Sequence, residues 1–146
     1  PYWDASTRAP AERLRADLEL LPALAESGLC DAAKDISMAG AVGTALMLLE
    51  CSQVGGVIDV QAIPRPPAVP LLRWLQSFPS YGYVFSVRPA RAAAVARHFQ
   101  SQGIACAAVG EVTATPQLHL RDGETSALLW DLVAQPFIGA RAVVPR

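Results

Sequence analysis

The chain has 146 residues, of which 52% are apolar and 17% charged, and its formal net charge is -1. This length suits one domain with a substantial core, which folds without disulfides or structural metals. The 12 basic residues are spread along the sequence without a run of Lys or Arg, so we expect no nucleic-acid partner. The longest apolar run, residues 45–49, is too short to span a bilayer, so we expect no membrane partner.

The three cysteines, Cys30, Cys51 and Cys106, are widely separated and odd in number. This pattern favours a reducing compartment over a disulfide framework or a zinc site. No secretory signal opens the sequence, which starts at Pro1, so we expect a cytoplasmic protein that is processed at its amino terminus. The low charged fraction leaves apolar surface for a partner and suggests a fragment or an oligomer.

A first helix is predicted over residues 10–28, because Leu14, Leu18 and Leu21 recur at the spacing of one helix face. Pro22 should kink or split this helix. A short strand should then end near Asp35.

The next predicted helix, residues 39–53, is apolar nearly all the way round, and a helix of that kind is covered on two sides. One side should be the sheet. The other side could be covered by a neighbouring domain, by a second subunit or by the N-terminal helix of the same chain.

The rest of the chain predicts alternating strands and helices. Residues 63–70 contain four prolines and should be extended, but they are too few to divide two domains. Strands are predicted over 57–60, 81–87 and 104–113, and helices over 71–77 and 89–103. Residues 117–121 and 125–130 around Asp122-Gly123 give the best hairpin signal. Together these elements predict an α/β sandwich with a mixed sheet, as one domain over residues 1–146.

The turn that precedes the apolar helix carries the candidate chemistry. Lys34, Asp35 and Ser37 come before Gly40 and Gly43, so a phosphate could meet a lysine charge, a hydroxyl and free helix N–H groups together. Asp35 could instead hold Mg²⁺, although one carboxylate rarely suffices for that ion. Alternatively, Asp35 and Ser37 cap the helix or bond to the turn backbone, and the glycines allow close packing on the sheet. The acids Asp59 and Glu111 end other elements and are expected to be solvated.

This turn belongs to a set of segments that resembles the C-terminal domain of the aminoimidazole ribonucleotide (AIR) synthetase superfamily. The superfamily includes thiamine-monophosphate kinase, selenophosphate synthetase and the hydrogenase maturation factor HypE. The segments are residues 33–43, 55–64, 81–87, 103–104 and 109–113. The resemblance implies a PurM C-terminal domain-like fold, and ATP and Mg²⁺ as cofactors of the parent protein. It also implies an N-terminal ATP-binding domain and a homodimer that completes the site.

The chain departs from the family pattern at the turn. The family usually reads Asp, Ile or Val, Ser or Thr, Asp, Gly, whereas Asp35, Ile36 and Ser37 are followed here by Met38 and Ala39. The carboxylate that could hold Mg²⁺ or position a nucleophile at Met38 is therefore absent. Lys34, Ser37, Gly40 and Gly43 remain the phosphate-binding candidates from the residues themselves, with Asp35 as the catalytic or metal-binding candidate. The isolated chain is predicted to be inactive. The competing hypothesis is a noncatalytic binding or assembly module that keeps the scaffold without the acids.

Overall fold

A computed structural model describes residues 1–139 of the chain. The helices are α1 (Ala11–Glu26), α2 (Gly40–Ser52), α3 (Leu71–Leu75) and α4 (Ala92–Gln100), the last preceded by a 3-10 turn over Pro89–Arg91. The strands are β1 (Tyr2–Trp3), β2 (Ala32–Asp35), β3 (Gly55–Asp59), β4 (Phe78–Pro79), β5 (Tyr83–Ser86), β6 (Gly110–Thr113), β7 (Gln117–Asp122) and β8 (Thr125–Asp131).

These strands form one mixed sheet and two strand pairs. The mixed sheet has the order β6-β3-β7-β8, in which β3 and β7 are parallel and the other neighbours antiparallel. Strands β2 and β5 pair antiparallel, and β1 pairs with β4. The α/β fold with a mixed sheet, predicted from the order of the elements, is confirmed.

Helix α2 lies at the centre of the domain. It contacts β2 and β5 of the strand pair and β3 of the four-stranded sheet. Its Ala45, Leu46 and Leu49 form an apolar cluster with Ile58 of β3 and Leu118 of β7. The burial of these apolar side chains of α2, β3 and β7 provides the main stabilisation between the helix and the four-stranded sheet.

Helix α1 does not provide the second cover of α2 that the sequence left open. Its Leu20 and Leu24 pack with Val95 and Phe99 of α4 in a separate cluster. The apolar face of α2 is covered instead by the β2–β5 pair, by β3 of the four-stranded sheet and by α3. A C-terminal strap, residues 132–139, completes the cover, because its Phe137 packs against the α2 cluster. The prediction of a helix covered on two sides is confirmed, and its cover comes from within this chain.

Two details of the sequence interpretation differ from the structure. Of the predicted kink or split at Pro22, the split is wrong, because the first helix continues from Ala11 to Glu26. Pro22 lies on the exposed side, where water can serve the carbonyl that proline leaves without a partner. The strand expected over 104–113 is confined to Gly110–Thr113, because Ile104 and Cys106 pack against the α1–α4 cluster instead of pairing.

The predicted hairpin is confirmed as β7 and β8, with Gly123 at φ 58° in the turn. That left-handed conformation suits glycine. None of the helices within residues 1–139 is long and apolar enough to cross a membrane.

Candidate functional site

The predicted phosphate-binding turn lies between the end of β2 at Asp35 and the start of α2 at Gly40. Ile36 anchors the turn, because its N–H donates to the Gly82 carbonyl at 2.8 Å. Met38 and Ala39 are exposed at its tip. Lys34 and Asp35 thus end β2, and Ser37 lies in the turn before α2.

The two charged residues of the turn form an ion pair at the surface. Lys34 Nζ lies 3.2 Å from Asp35 Oδ1, and the Asp35 side chain is 64% exposed. Asp35 stands opposite Tyr83 in the β2–β5 pair. Burial, and secondarily the Asp35 carboxylate, raise the pKa of the Tyr83 phenol. Because Lys34 already faces Asp35, a phosphate that arrives at the turn would compete with that carboxylate for the Lys34 ammonium group.

Ser37 holds the turn together through its own backbone and hydroxyl. Its Oγ accepts the Met38 N–H at 2.6 Å, and its carbonyl accepts the Gly40 N–H at 2.9 Å. Its N–H donates to the hydroxyl of the fully buried Thr44 at 3.3 Å. These bonds correspond to the alternative in which Ser37 bonds to the turn backbone, and they leave its hydroxyl proton available to an outside acceptor. The residue before α2 is Ala39, which offers no side-chain cap.

Both candidate glycines have a packing role. Gly40 has φ 67°, and a β-carbon there would overlap the carbonyl oxygen of Leu75. A β-carbon at Gly43 would lie 2.6 Å from the Ala39 β-carbon and 3.9 Å from the ring of Phe137. Close packing therefore accounts for both glycines in this structure, and their part in phosphate binding stays a prediction.

Met38, which replaces the second acid of the family pattern, is 85% exposed. Together with Tyr2, Gln76 and Phe78 it lines an open, mostly apolar depression of about 580 Å³. The rings of Tyr2 and Phe78 lie 5.6 Å apart at the edge of the same depression. An apolar surface thus borders the polar turn at the place where the family pattern has a carboxylate.

Sequence reasoning missed Glu50, which is only 7% exposed near the carboxyl end of α2. Its carboxylate accepts the N–H groups of Phe137, Ile138 and Gly139 at 3.0, 2.8 and 3.1 Å. The edge-to-face contact of Phe137 with Trp130, with ring centroids 5.3 Å apart, fixes the same C-terminal strap. The only sequence signal was one glutamate in a helix that is otherwise largely apolar.

Asp59 and Glu111, expected to be solvated, both line an open depression of about 340 Å³, as does Arg121. Arg121 Nη2 lies 3.6 Å from Asp59 Oδ2, and Asp59 Oδ1 accepts the Gln61 N–H at 3.0 Å. Among residues 1–139, no three His, Cys, Asp or Glu side chains are placed to hold a metal ion.

Comparison of the sequence with known protein families identifies the family of this chain. The family model described as AIR synthase related protein, C-terminal domain, matches residues 3–123. The chain belongs to this family.

Two relatives of this AIR synthase-related domain are longer proteins. It is 46% identical over 140 residues to the uncharacterized protein sll0787 of Synechocystis sp., covering 95% of this chain and 44% of that protein. It is 36% identical over 129 residues to the uncharacterized protein MJ0640 of Methanocaldococcus jannaschii, covering 88% of this chain and 40% of that protein. The chain thus spans less than half the length of either relative.

Solved structures share the fold of the domain. PurL of T. maritima, complexed with ATP, superposes with a TM-score of 0.77 at 16% identity, covering 99% of this chain and 25% of that chain. The hydrogenase maturation protein HypE superposes with a TM-score of 0.67 at 16% identity, covering 82% of this chain and 43% of that chain. At these identities the likeness establishes the fold alone.

Proposed function

We propose that this AIR synthase-related domain supplies the phosphate-binding surface of a larger, ATP-dependent enzyme. The observation that carries the proposal is the segment before α2, where Lys34 forms a surface ion pair at the end of β2 and the Ser37 hydroxyl lies in the turn that leads into the helix. Its fold is shared with PurL, a protein solved in complex with ATP. The remaining parts of the site come from an N-terminal ATP-binding domain of the parent protein, which we propose to be a cytoplasmic homodimer.

The residues of the turn fit a phosphate group. The first N–H groups of a helix lack intrahelical partners and, with the helix dipole, favour an anion. Lys34 adds a full charge, and the Ser37 hydroxyl adds a donor. Gly40 is buried and its N–H is bonded to the Ser37 carbonyl, and the Met38 N–H is bonded to the Ser37 hydroxyl. Contact therefore falls first on Lys34, on the Ser37 hydroxyl and on the exposed Ala39.

The same residues do not fit a magnesium ion held by this chain. Mg²⁺ needs an octahedral set of oxygen ligands, usually from several carboxylates, phosphates and waters. The turn offers only the Asp35 carboxylate, which already faces Lys34, and Met38 stands where the family has its second acid. Any Mg²⁺ that accompanies ATP would depend on carboxylates from the rest of the parent protein.

Met38 also favours a second candidate function, that of a noncatalytic binding module. Its exposed side chain and the apolar depression beside it suit contact with a partner rather than metal chemistry. On either proposal the isolated chain hydrolyses no ATP in the presence of Mg²⁺. Turnover that disappears with Asp35→Ala would contradict this expectation. An acidic nucleotide motif in the other half of the parent protein would favour the enzyme over the module.

A titration of inorganic phosphate and of ATP, followed by amide chemical shifts, tests the proposed anion site. We expect the largest shifts at residues 37–41, and at least threefold weaker binding in Lys34→Ala. The matched control is Arg97→Ala, which removes one exposed positive charge from α4 and should leave the affinity unchanged. Shifts confined to the neighbourhood of Arg88 and Arg91 would reject the site.

A further inference from the structure

Thr44 is a polar residue at one of the most deeply buried positions of α2. It is 0% exposed. The other buried residues of the helix are apolar or glycine, with the single exception of Glu50. A buried hydroxyl costs free energy unless it is hydrogen-bonded. The hydroxyl at this position therefore needs a partner, and that partner indicates what it does.

The partner of Thr44 is the turn before the helix. The Ser37 N–H, seven residues earlier in the chain, donates to Thr44 Oγ1 at 3.3 Å. A threonine in a helix can still donate its own proton to a carbonyl three or four residues before it. Within residues 1–139, no buried side-chain nitrogen or oxygen lacks a hydrogen-bond partner. The buried hydroxyl thus joins the turn to the second turn of α2.

This bond is one of two long-range bonds that hold the turn. On the side of β2, the Ile36 N–H donates to the Gly82 carbonyl. On the side of α2, Thr44 accepts the Ser37 N–H. The other bonds of Ser37, to the Met38 and Gly40 N–H groups, are local to the turn. Without the Thr44 hydroxyl, the residue that carries the candidate phosphate donor would lose its only bond to the interior of the helix.

We propose that Thr44 is a positioning residue for the phosphate-binding turn, whose buried hydroxyl holds Ser37 in the conformation that receives the anion. This inference rests on the proposed function of the turn. Because Thr44 has no exposed surface, any effect of its hydroxyl on phosphate affinity has to act through Ser37. A turn that is held in one conformation before binding has the higher apparent affinity, since a larger fraction of the molecules is competent to bind.

Two substitutions at position 44 separate the hydroxyl from the packing of the side chain. Thr44→Val keeps the shape and removes the acceptor, whereas Thr44→Ser keeps the acceptor and removes a methyl group. In a titration with inorganic phosphate, we expect Thr44→Val to bind about three- to tenfold more weakly than the wild type, the worth of one hydrogen bond. Thr44→Ser should stay within about twofold of the wild type. The control Leu46→Val, at another buried position of α2, should lose stability without losing affinity.

Amide exchange of the ligand-free protein tests the same bond without phosphate. The Ser37 amide should exchange about three- to tenfold faster in Thr44→Val, and at the wild-type rate in Thr44→Ser.

Equal phosphate affinity in the wild type and Thr44→Val would overturn the inference and leave the proposed function standing. So would a Ser37 amide whose exchange is the same in both. An equal loss of affinity in Thr44→Val and Leu46→Val would also overturn it, because the effect would then belong to core packing. A wild type that does not bind phosphate would overturn the proposed function, and the binding role of Thr44 with it.

Discussion

The two ends of α2 present polar groups in opposite ways. At the amino end, Lys34 and Asp35 form a surface pair, and the Asp35 side chain is 64% exposed. Near the carboxyl end, Glu50 is buried and accepts three N–H groups of the C-terminal strap. The accessible charges can exchange their partners for a ligand, whereas the buried carboxylate is already satisfied from within the chain. Accessibility, more than residue type, separates the candidate binding end from the structural end.

The position of Glu50 explains why it needs so many donors. A negative charge near the carboxyl end of a helix meets the unfavourable end of the helix dipole, and burial adds a desolvation cost. Three N–H donors from the strap offset both penalties. Gly43 lies on the same face of α2, two turns earlier, and the Phe137 ring lies over it. The strap therefore lies along one stripe of the helix.

The largest expected effect is the loss of stability when the buried carboxylate near the carboxyl end of α2 is removed. Glu50→Ala should lower the free energy of unfolding by about 3 kcal/mol, because it leaves strap N–H groups without their acceptor. Urea denaturation measures the change, and Glu26→Ala, at an exposed glutamate near the end of α1, is the control. A loss below about 1 kcal/mol would mean that the strap is not held by Glu50.

A second substitution tests the packing at the amino end. Gly40→Ala should cost about 2–3 kcal/mol, because it adds backbone strain at positive φ to an overlap with the Leu75 carbonyl. Gly28→Ala is the matched comparison, because Gly28 has φ 65° with no atom near its missing β-carbon and should cost about 1 kcal/mol. Equal costs by thermal or urea unfolding would show that the contact with Leu75 is relieved easily.

A smaller effect should appear with pH at the start of the strap. Asp131 accepts the N–H groups of Val133 and Ala134. The Ala134 bond, followed by the Gln117 side chain, lowers the pKa of the Asp131 carboxyl below its usual 3.8. Because the folded pKa is the lower one, this stabilisation is present above the unfolded value and is lost as pH falls through the folded value.

Amide exchange in the strap, extrapolated to a common intrinsic rate, should therefore speed up below about pH 4 in the wild type. The acid-induced change should be reduced in Asp131→Asn. An identical acid response in both chains would assign the pH dependence to another group.

The smallest effect on stability is expected at the exposed turn. Asp35→Ala should change the free energy of unfolding by less than about 0.5 kcal/mol, because the Lys34–Asp35 pair lies at the surface. Phosphate binding should strengthen about two- to fivefold, since Lys34 loses its competing partner. If Asp35 instead binds the ligand through a metal, calorimetry will show weaker binding.

The amino end of α2 was predictable from sequence because its signals are local. A lysine, an acid, a hydroxyl and small residues stand within ten positions, and the apolar helix after them has a clear pattern. The hairpin was equally local, since Gly123 marks its turn. Glu50 was not predictable, because its partners lie 87 to 89 residues further along the chain. The strand predicted over 104–113 was too long for a related reason. Ile104 and Cys106 pack against the α1–α4 cluster instead of pairing with a strand, and the sequence pattern does not show that contact.

The most direct test of the proposed binding end is amide hydrogen exchange of the intact chain with and without ATP. We predict slower exchange at Met38, Ala39 and Ala41, and unchanged exchange at Phe137, Ile138 and Gly139. Protection at residues 37–41 that is absent in Lys34→Ala but present in Arg97→Ala would establish a charge-dependent site at the turn. Exchange at the turn that is the same with and without ATP would contradict the account.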